Sequence, residues 1–596
     1  MRFLFFDQIK LIEKGRRIVG LKTFPLSEEY LGRHFSRQPL VPGVILVEAM
    51  AQLIGWLITY SHDFELTSLL TMVENVTLPS RMTPGATAEI HGEIISTTKD
   101  GTLARGKVLV DGKEVGNVER IIFAHFASVP KEELKQRFAY YGGFRAAKVQ
   151  PSPAPRVYAR PKHPRSVVVT GLGVVTPLGI GTVRNWRRLL AGESGIRRID
   201  ILSDRNLPAP FAGQVSQDDW QEIVSRQPEE AARKGERRVL FALQAAMEAL
   251  DDAGLTRHAP MGARAGISLS AGLGINRLED ILLGLDGNGR FCSRRFAERL
   301  EHLHPESMFL NPTDRPAAEV AIRYGLMGPN VTTTSACAAA TQAIGQAYRV
   351  IRRGDADVMV VGGADSMIHP VGAVFFVLLG AASKSKKGPD GVSKPFDRRR
   401  SGLVMGEGAG VAVLEAEEHA RERGARIYAE VAGYGASIDA YQITAPHPKG
   451  RGAYAAMADA LRDAKMEPEE VDYINAHGTS TKLNDSIETL AIKQVFGGHA
   501  HKLAVSSSKS MIGHLLGGCG APEFVYTVLS VYHGAVHPTI NVTHPDPKCD
   551  LDYVTEGCRR MNVRAALSNS FGFGGQNAAI LVREGRAKWD KPWKSN

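Results

Sequence analysis

An apolar stretch, residues 43–60, dominates the first quarter of the chain, and its strongly polar side chains are Glu48 and Gln52. These two residues lie four positions apart, which places them on one face of a helix. The preceding Pro42 and Gly43 are typical of a helix start. A helix that is apolar on all sides is normally buried, so we expect Glu48 to be a buried carboxyl held in its protonated form.

The segments after this helix are rich in β-branched residues and predict four strands. They cover residues 70–78, 86–97, 104–110 and 115–127. One buried helix followed by a run of antiparallel strands predicts an α+β domain over residues 1–142, with a sheet wrapped around the helix.

From residue 166 to residue 584 strands and helices alternate along the chain. Helices are predicted near 237–252, 340–353, 485–496 and 520–532, and strands near 357–363, 410–415, 471–476 and 503–507. This alternation predicts a second domain of layered α/β type. Residues 143–165 contain five Pro, six Lys or Arg and no acid, which predicts a stiff, extended linker. Residues 585–596 are interpreted as a polar tail.

Composition and charge narrow the class of function. Of the net charge of +10, six charges fall in the linker, and no aromatic-basic stripe accompanies them, so nucleic-acid binding is not predicted. The remaining basic charge suits an acidic protein partner. Five cysteines without a CxxC pair argue against a disulfide framework and a zinc site, and indicate a reducing cytoplasm. The apolar runs 43–60, which contains Glu48, and 371–382, which is short, are interpreted as buried core, not membrane spans.

The sulfur of Cys337 is the reactive atom of a strand-to-helix segment. The β-branched residues 331–334 predict a strand, and the small helix formers that follow Cys337 predict a closely packed helix with the thiol in its first turn. There the helix dipole and free backbone N–H groups favour the thiolate. The alternative for this residue alone is a small buried hydrophobic side chain.

Two later segments repeat this arrangement. His477 follows a strand-like run within a Gly/Thr turn, and Lys509 and His514 precede an apolar helix. Two His, a Lys and a Cys, each on its own strand-to-helix turn, suit a thiol activated by paired imidazoles.

These residues resemble the β-ketoacyl-[acyl-carrier-protein] synthases of the elongating, Cys-His-His type, which have the layered α/β/α/β/α thiolase-like fold. Further matching motifs cover residues 169–177, 394–397, 406–410 and 569–577. The resemblance implies that Cys337 takes an acyl group from a carrier-protein thioester. His477 and His514 would then stabilise the enolate formed when a malonyl thioester loses CO₂.

The same resemblance assigns supporting roles. Lys509 would orient His514 together with Glu523. Phe573 matches the gating aromatic residue of the family, and its N–H with that of Cys337 would form the oxyanion hole. The remaining assigned residues, expected to bind the pantetheine arm, are Thr479 and Thr481. No cofactor is expected on the chain itself, because the substrates are carried on the phosphopantetheine of a separate acyl carrier protein. A homodimer is expected.

The N-terminal region resembles the hotdog-fold β-hydroxyacyl-[acyl-carrier-protein] dehydratases. It has His34-Phe35, then Pro42-Gly43, then Glu48-Ala-Met-Ala-Gln52, while Ser36-Arg37 replaces the Pro-Gly of the family loop. The resemblance implies that His34 removes the α-proton of a 3-hydroxyacyl thioester and Glu48 protonates the leaving hydroxyl. Backbone N–H groups near Gly43 would hold the thioester oxygen, and Gln52 would contact the substrate.

The sequence therefore predicts fatty-acid or polyketide-type chain elongation, with dehydration by the first domain. The alternative is a condensing enzyme whose hotdog domain is catalytically silent and serves dimerisation or carrier docking, a possibility raised by Ser36-Arg37. A third hypothesis, a non-catalytic thioester sensor, is disfavoured by the complete set Cys337, His477, His514 and Lys509. A ketoreductase must act between the two reactions and is expected as a separate protein.

Overall fold

The computed structural model describes residues 6–25, 40–79, 82–98, 100–126, 130–140, 163–200, 207–227, 236–255, 261–272, 278–302 and 312–585. The chain divides into two compact units, Met1–Tyr158 and Ala159–Asn596. Most of the predicted linker 143–165, the predicted tail beyond residue 585 and the loop with His34, Ser36 and Arg37 lie outside the described residues. The predicted boundaries of domains, linker and tail stay predictions.

The first unit is an antiparallel sheet with strand order β1-β2-β4-β5-β6-β3. Its strands are β1 (Gln8–Glu13), β2 (Arg17–Thr23), β3 (Thr67–Thr77), β4 (Thr87–Thr97), β5 (Gly101–Val110) and β6 (Lys113–Phe126). Its helices are α1 (Gly43–Ser61) and α2 (Lys131–Tyr140). The predicted helix and all four predicted strands are present, which confirms the α+β prediction.

Helix α1 lies directly on the sheet because glycines face it. A Cβ on Gly92 would lie 2.3 Å from Ile54, and one on Gly106 would lie 2.8 Å from the sulfur of Met50. Among the described residues α1 is the one helix long and apolar enough to cross a membrane, and half of its most apolar window is buried inside the unit. The core helix of a globular domain has the same properties, so this is weak support for a membrane span.

The expectation that Glu48 is buried is wrong for the single chain. The sheet covers one side of α1, and the opposite side, with Val44 66% exposed, is open. Glu48 and Gln52 are half-buried, and the Gln52 Nε2 donates a hydrogen bond of 2.9 Å to the Glu48 Oε1. An all-round apolar helix needs a second covering layer to bury this carboxyl, and the described residues of one chain do not supply it.

The second unit contains two sheet halves. One half has the order β12-β11-β13-β14-β7 and the other the order β15-β22-β21-β16-β17-β19; β15 joins them by pairing with β7 over three residues, and β8 pairs with β7. The strands are β7 (Val167–Thr176), β8 (Gly179–Ile180), β9 (Ile196–Arg198), β10 (Phe211–Gly213), β11 (Ala265–Ala271), β12 (Asn330–Thr333), β13 (Val358–Ser366), β14 (Glu407–Ala416), β15 (Ala429–Ile438), β16 (Tyr473–Asn475), β17 (Ala504–Ser506), β18 (Ala535–Val536), β19 (Asp552–Tyr553), β20 (Arg559–Arg560), β21 (Ala565–Phe571) and β22 (Gln576–Arg583).

Helices occupy three layers around these halves. They are α3 (Thr182–Leu190), α4 (Gln217–Arg226), α5 (Arg237–Asp252), α6 (Leu278–Leu283), α7 (Ser293–Ala297), α8 (Arg315–Tyr324), α9 (Ala339–Arg352), α10 (Pro370–Leu378), α11 (Glu417–Glu422), α12 (Arg451–Ala464), α13 (Lys482–Phe496), α14 (Lys509–Ile512) and α15 (Gly520–His533). Helices α9 and α15 pack against each other and against both halves, while α5 and α12 cover the outer faces. The predicted α/β/α/β/α layering is therefore confirmed.

A buried ion network ties β14 to the helix that follows it. Glu415 is fully buried and accepts hydrogen bonds from the Arg423 guanidinium, from the His419 Nδ1 at 2.7 Å and from the Thr170 hydroxyl. Burial alone would raise the pKa of Glu415, but the hydrogen bonds from Arg423, His419 and Thr170 together lower it to about 2.

We expect Glu415→Gln to lower the free energy of unfolding by about 2 kcal/mol, because it removes a charged acceptor from buried hydrogen bonds. Urea denaturation followed by tryptophan fluorescence measures this change. The matched control is Glu417→Gln, which breaks an i,i+4 pair with Arg421 and should cost within about 0.5 kcal/mol.

The difference in free energy of unfolding between wild type and Glu415→Gln should depend on pH. Because the pKa of Glu415 in the folded state, about 2, lies below its ordinary value of 4.5, the network stabilises the fold fully above about pH 4.5 and loses this contribution as pH falls towards 2. The gap between wild type and Glu415→Gln should therefore narrow over this interval. An equal gap at pH 6 and pH 3 would contradict an ionised Glu415.

Candidate active site

Cys337 lies on the sharp turn between β12 and α9. Its neighbour Ala336 has φ of 47°, in the left-handed region, and the helix begins with Ala338 as its N-cap residue. The expectation that Cys337 is in the first helical turn is therefore wrong, since the strained turn places it before the helix. The side chain is 6% exposed.

The expectation of a resting thiolate is also wrong. Burial raises the pKa of the Cys337 thiol to about 11, against the opposing effects of the Phe573 N–H, Lys509 and its own N–H. Desolvation of a sulfur anion outweighs these three stabilising contacts. The resting side chain is a protonated thiol that must lose its proton as it reacts.

Two backbone N–H groups converge on this sulfur, those of Cys337 and Phe573. The Phe573 loop approaches closely because Gly572 has no side chain: a Cβ there would lie 3.1 Å from the Cys337 nitrogen. A pair of N–H donors in this position matches the requirement for stabilising an oxyanion on a carbonyl bonded to the sulfur.

Two imidazoles face the thiol, and their ligand atoms and the sulfur lie within 4.8 Å of one another. The rings of His477, after β16, and His514, after α14, are nearly perpendicular, with centroids 5.3 Å apart. Burial lowers the pKa of each well below its usual value, and Lys509 adds to this effect. Both rings are therefore neutral at physiological pH.

The tautomer of His514 is fixed by the backbone. The Leu516 N–H donates a hydrogen bond of 2.9 Å to the His514 Nδ1, so the ring proton is on Nε2, which is buried and has no partner in the described residues. The His477 Nδ1 is likewise buried without a partner there. His514 thus presents a hydrogen-bond donor, while His477 is free to present either tautomer.

Behind the imidazoles lies a buried ion pair between Lys509 and Glu523, each 1% exposed. Burial alone would lower the pKa of Lys509, and the Glu523 carboxylate more than offsets this, so the pKa is raised and the ammonium persists. Glu488 accepts hydrogen bonds of 2.8 Å from the backbone N–H groups of both His477 and Gly478. Glu488 thereby holds the His477 turn in place.

The predicted pantetheine-binding threonines lie on the turn after His477. The Thr479 and Thr481 hydroxyls are 2.9 Å apart, and Thr481 also caps α13 by accepting a hydrogen bond from the Asn484 N–H. Thr479 is 6% exposed. Both hydroxyls thus already have protein partners.

The sulfur, imidazole nitrogen and carboxylate oxygen atoms of this site are of the types that bind metal ions. Two sets have ligand atoms within 4.8 Å: Cys337, His477 and His514, and His477, Cys519 and Glu523. In the first set His514 presents a protonated Nε2 without a lone pair, and in the second Glu523 is paired with the Lys509 ammonium. The donor chemistry therefore disfavours a metal in either set.

Sequence reasoning missed three buried groups around the site. Cys519 donates to the Cys337 carbonyl oxygen at 3.3 Å, Asp365 accepts from the Gly517 N–H at 2.8 Å, and Glu488 holds the His477 turn. The Asn484-Asp485-x-x-Glu488 spacing was a usable signal for Glu488. Asp365 and Cys519 had no sequence signal, because their partners lie more than 150 residues away.

In the hotdog unit the structure describes part of the predicted site. Gly43 is the first residue of α1, and a Cβ there would lie 2.7 Å from Leu78. Glu48 and Gln52 are joined by their hydrogen bond one turn further along. His34 lies outside the described residues.

Comparison with known proteins matches three family models. The chain matches "Beta-ketoacyl synthase, N-terminal domain" over residues 164–420, "Beta-ketoacyl synthase, C-terminal domain" over 428–543 and "FabA-like domain" over 1–119. It is 42% identical over 422 residues to 3-oxoacyl-[acyl-carrier-protein] synthase 2 of Synechocystis sp., covering 70% of this chain and 98% of the relative. The corresponding protein of Coxiella burnetii is 40% identical, with the same coverage.

Solved structures agree. A ketosynthase bound to a hexaketide, in complex with its type II polyketide synthase acyl carrier protein, has a TM-score of 0.64 and 34% identity, covering 71% of this chain and all of that chain. A β-ketoacyl synthase from Burkholderia phymatum has a TM-score of 0.61, with the same identity and coverage. The chain thus belongs to the β-ketoacyl synthase family, as a 3-oxoacyl-[acyl-carrier-protein] synthase joined to an N-terminal FabA-like hotdog domain.

Proposed function

We propose that Cys337 is the acyl-accepting nucleophile of a chain-elongating condensation, with His477 and His514 serving the malonyl step. The observation that carries this proposal is the convergence of two N–H groups and two neutral imidazoles on one buried thiol. The acyl donor is a thioester on the phosphopantetheine of an acyl carrier protein, and the extender is a malonyl thioester on the same kind of carrier.

In the first half-reaction the Cys337 sulfur attacks the acyl carbonyl. The thiol proton passes to His477, whose tautomer is free, and then to the departing carrier thiolate. The carbonyl oxygen becomes negative in the tetrahedral intermediate and accepts hydrogen bonds from the N–H groups of Cys337 and Phe573. The carrier leaves as a free thiol, and the acyl group remains on Cys337.

In the second half-reaction the malonyl carboxylate leaves as CO₂, and its electron pair forms an enolate. The enolate oxygen accepts hydrogen bonds from the His514 Nε2–H and from His477. The enolate carbon attacks the acyl thioester, the bond to sulfur breaks, and Cys337 takes up one proton. The product is a 3-oxoacyl thioester two carbons longer. The buried ion pair of Lys509 and Glu523 sets the electrostatic environment of the two imidazoles.

The hotdog domain would act on a later form of this product. A separate ketoreductase must first reduce the 3-oxo group to a hydroxyl. His34 then removes the α-proton and Glu48 protonates the leaving hydroxyl, which departs as water. The Gly43 N–H, at the start of α1, holds the thioester oxygen, and Gln52 orients Glu48 through the bond of 2.9 Å.

A homodimer in the cytoplasm is the proposed assembly. Among the residues that the structure describes, β3 and β12 each pair with one strand, so each leaves an open sheet edge there. Exposed apolar residues lie along both edges: Leu69, Met72 and Val76 on β3 and Val331 on β12. Open edges with apolar side chains favour pairing with a second copy of the same strand.

The carrier would approach through a basic surface formed by Lys384, Lys386, Lys387, Arg398 and Arg399, all exposed. Arg400, the next residue along the chain, does not belong to this surface, because it is 3% exposed and pairs with Asp546. Its guanidinium stabilises the fold and is unavailable to a partner. The acidic character of such carriers supports this surface as the docking site.

The first prediction concerns the nucleophile. Cys337→Ala should reduce acyl transfer and elongation by roughly 10⁴-fold or more, because no other group replaces the attacking sulfur. Some malonyl decarboxylation should remain, since His477 and His514 are intact. Intact-mass measurement of the acyl-enzyme tests this, with the exposed Cys558→Ala as control; an acyl adduct on Cys337→Ala would disprove the assignment.

The second prediction concerns docking. Reversing the charge at Lys384 and Lys387 together should raise KM for carrier-bound substrate several-fold with little change in kcat, and added salt should raise KM of the wild type. The control is the same reversal at the exposed Lys502 and Lys548. Unchanged KM in the variant and in salt would remove this surface from the interface.

The third prediction concerns dehydration. The full chain should convert a 3-hydroxyacyl thioester to the trans-2-enoyl product, and Glu48→Gln should abolish this while leaving acylation of Cys337 unchanged. Arg37→Gly should dehydrate at an equal or higher rate, because glycine restores the loop of the family. If neither wild type nor Arg37→Gly yields enoyl product over a broad range of chain lengths, the hotdog domain is a silent scaffold.

A further inference from the structure

Leu516 is held in a strained conformation next to the catalytic histidine. Its φ is 46°, in the left-handed region that is unfavourable for an L-residue with a side chain. This conformation aims its N–H at the His514 Nδ1, at 2.9 Å. A strained backbone persists only where its surroundings hold it, so some neighbouring contact must oppose relaxation of Leu516.

The next residue, Gly517, is held through both its backbone N–H and its backbone carbonyl. The Gly517 N–H donates to the Asp365 Oδ2 at 2.8 Å, and the Gly517 carbonyl accepts from the Ser270 hydroxyl at 2.8 Å. Asp365 and Ser270 are fully buried. These two side chains extend from the ends of β13 and β11, which belong to a rigid parallel pair.

Asp365 has little freedom to move. A Cβ on Gly272 would lie 2.2 Å from both carboxyl oxygens, and one on Gly518 would lie 3.0 Å from the Asp365 nitrogen. The Asp365 Oδ1 has no hydrogen-bond partner in the described residues. Burying this carboxyl is costly, and the Arg238 charge with the N–H groups of Gly517 and Ser366 offsets the cost only in part, so the pKa of Asp365 is raised to about 6. Its presence is therefore hard to explain by stability alone.

We propose that Asp365 is a positioning residue for the malonyl half-reaction. With Ser270 it fixes Gly517, which keeps strained Leu516 in place and the His514 proton on Nε2. Without this support Leu516 relaxes, its N–H leaves the His514 Nδ1, and the ring is free to adopt the other tautomer. This inference rests on the proposed role of His514 as a donor to the enolate.

A positioning role for Asp365 predicts different effects on acylation of Cys337 and on malonyl decarboxylation. Acylation of Cys337 uses the N–H groups of Cys337 and Phe573, and neither donates to Asp365 in the described residues. The Asp365 charge raises the pKa of the Cys337 thiol, so removing that charge does not disfavour acylation. Decarboxylation and condensation use the His514 Nε2–H. A residue that acts through the His514 tautomer should therefore affect malonyl decarboxylation and leave acylation intact, whereas a purely structural residue should affect both.

The test compares Asp365→Asn with Asp365→Leu in the full-length protein. Asn retains an oxygen that accepts from the Gly517 N–H, whereas Leu has a similar size and no acceptor. We expect acylation, followed by intact mass, to stay within about 3-fold of wild type in both. Malonyl decarboxylation, followed as CO₂ release, should fall about 10²-fold in Asp365→Leu, the scale of losing one donor, and recover to within about 5-fold in Asp365→Asn.

Ser270→Ala provides an independent arm, since it removes only a hydroxyl. It should slow decarboxylation without slowing acylation, and the Ser270→Ala/Asp365→Leu pair should be non-additive because both act on Gly517. The inference is overturned if Asp365→Leu decarboxylates at the wild-type rate, if Asn falls as far as Leu, if acylation falls in parallel, or if the pair is additive.

The variant His514→Ala distinguishes an error in the proposed role of His514 from an error in the positioning role of Asp365. If His514→Ala decarboxylates malonyl thioester at the wild-type rate, the proposed function of His514 is wrong. If His514→Ala is inactive while Asp365→Leu and Ser270→Ala are fully active, the role of His514 stands and only the positioning inference fails.

Discussion

The close packing of α9 on α15 between the two sheet halves is the constraint on which the active site depends. A Cβ on Gly520, the first residue of α15, would lie 2.2 Å from the Thr341 hydroxyl of α9, and one on Gly345 would lie 2.2 Å from the Tyr434 ring. Only helices with small residues at these positions approach so closely. Because Cys337 precedes α9 and Glu523 lies in the first turn of α15, this approach brings the thiol and the buried ion pair into one volume.

That volume excludes water, and the exclusion determines the protonation states. Desolvation keeps Cys337 as a thiol and both histidines neutral, while the Lys509 ammonium beside them is paired with Glu523. Neutral imidazoles are hydrogen-bond donors that need no counter-ion. The site is therefore suited to forming an anion from a neutral resting state, which is the requirement of an enolate reaction.

The sequence predicted the elements well and the local environment poorly. The helix predicted near 237–252 is α5, Arg237–Asp252, and the helices predicted near 340–353 and 520–532 begin or end within one residue of their observed bounds, because apolar periodicity and small residues are strong local signals. Resemblance of motifs supplied the candidate catalytic residues. The protonation of Cys337 was not predictable, since burial arises from distant segments and outweighs the local dipole. The positive φ of Leu516 and its neighbour Asp365, 151 residues earlier, leave no trace in any local pattern. The exposure of Glu48 depends on how many copies cover α1.

The protonated state of Cys337 affects which thiol of the protein reacts first with an added reagent. Burial raises the pKa of Cys337 to about 11, so the thiolate is a minor form at pH 7. Oxidants and simple alkylating reagents attack thiolates that they can reach, so the exposed Cys558, not the nucleophile, is the side chain that such reagents encounter first. Selective covalent inhibitors need a carbonyl that occupies the two N–H donors, so that the reagent itself supplies the stabilisation that makes the sulfur react.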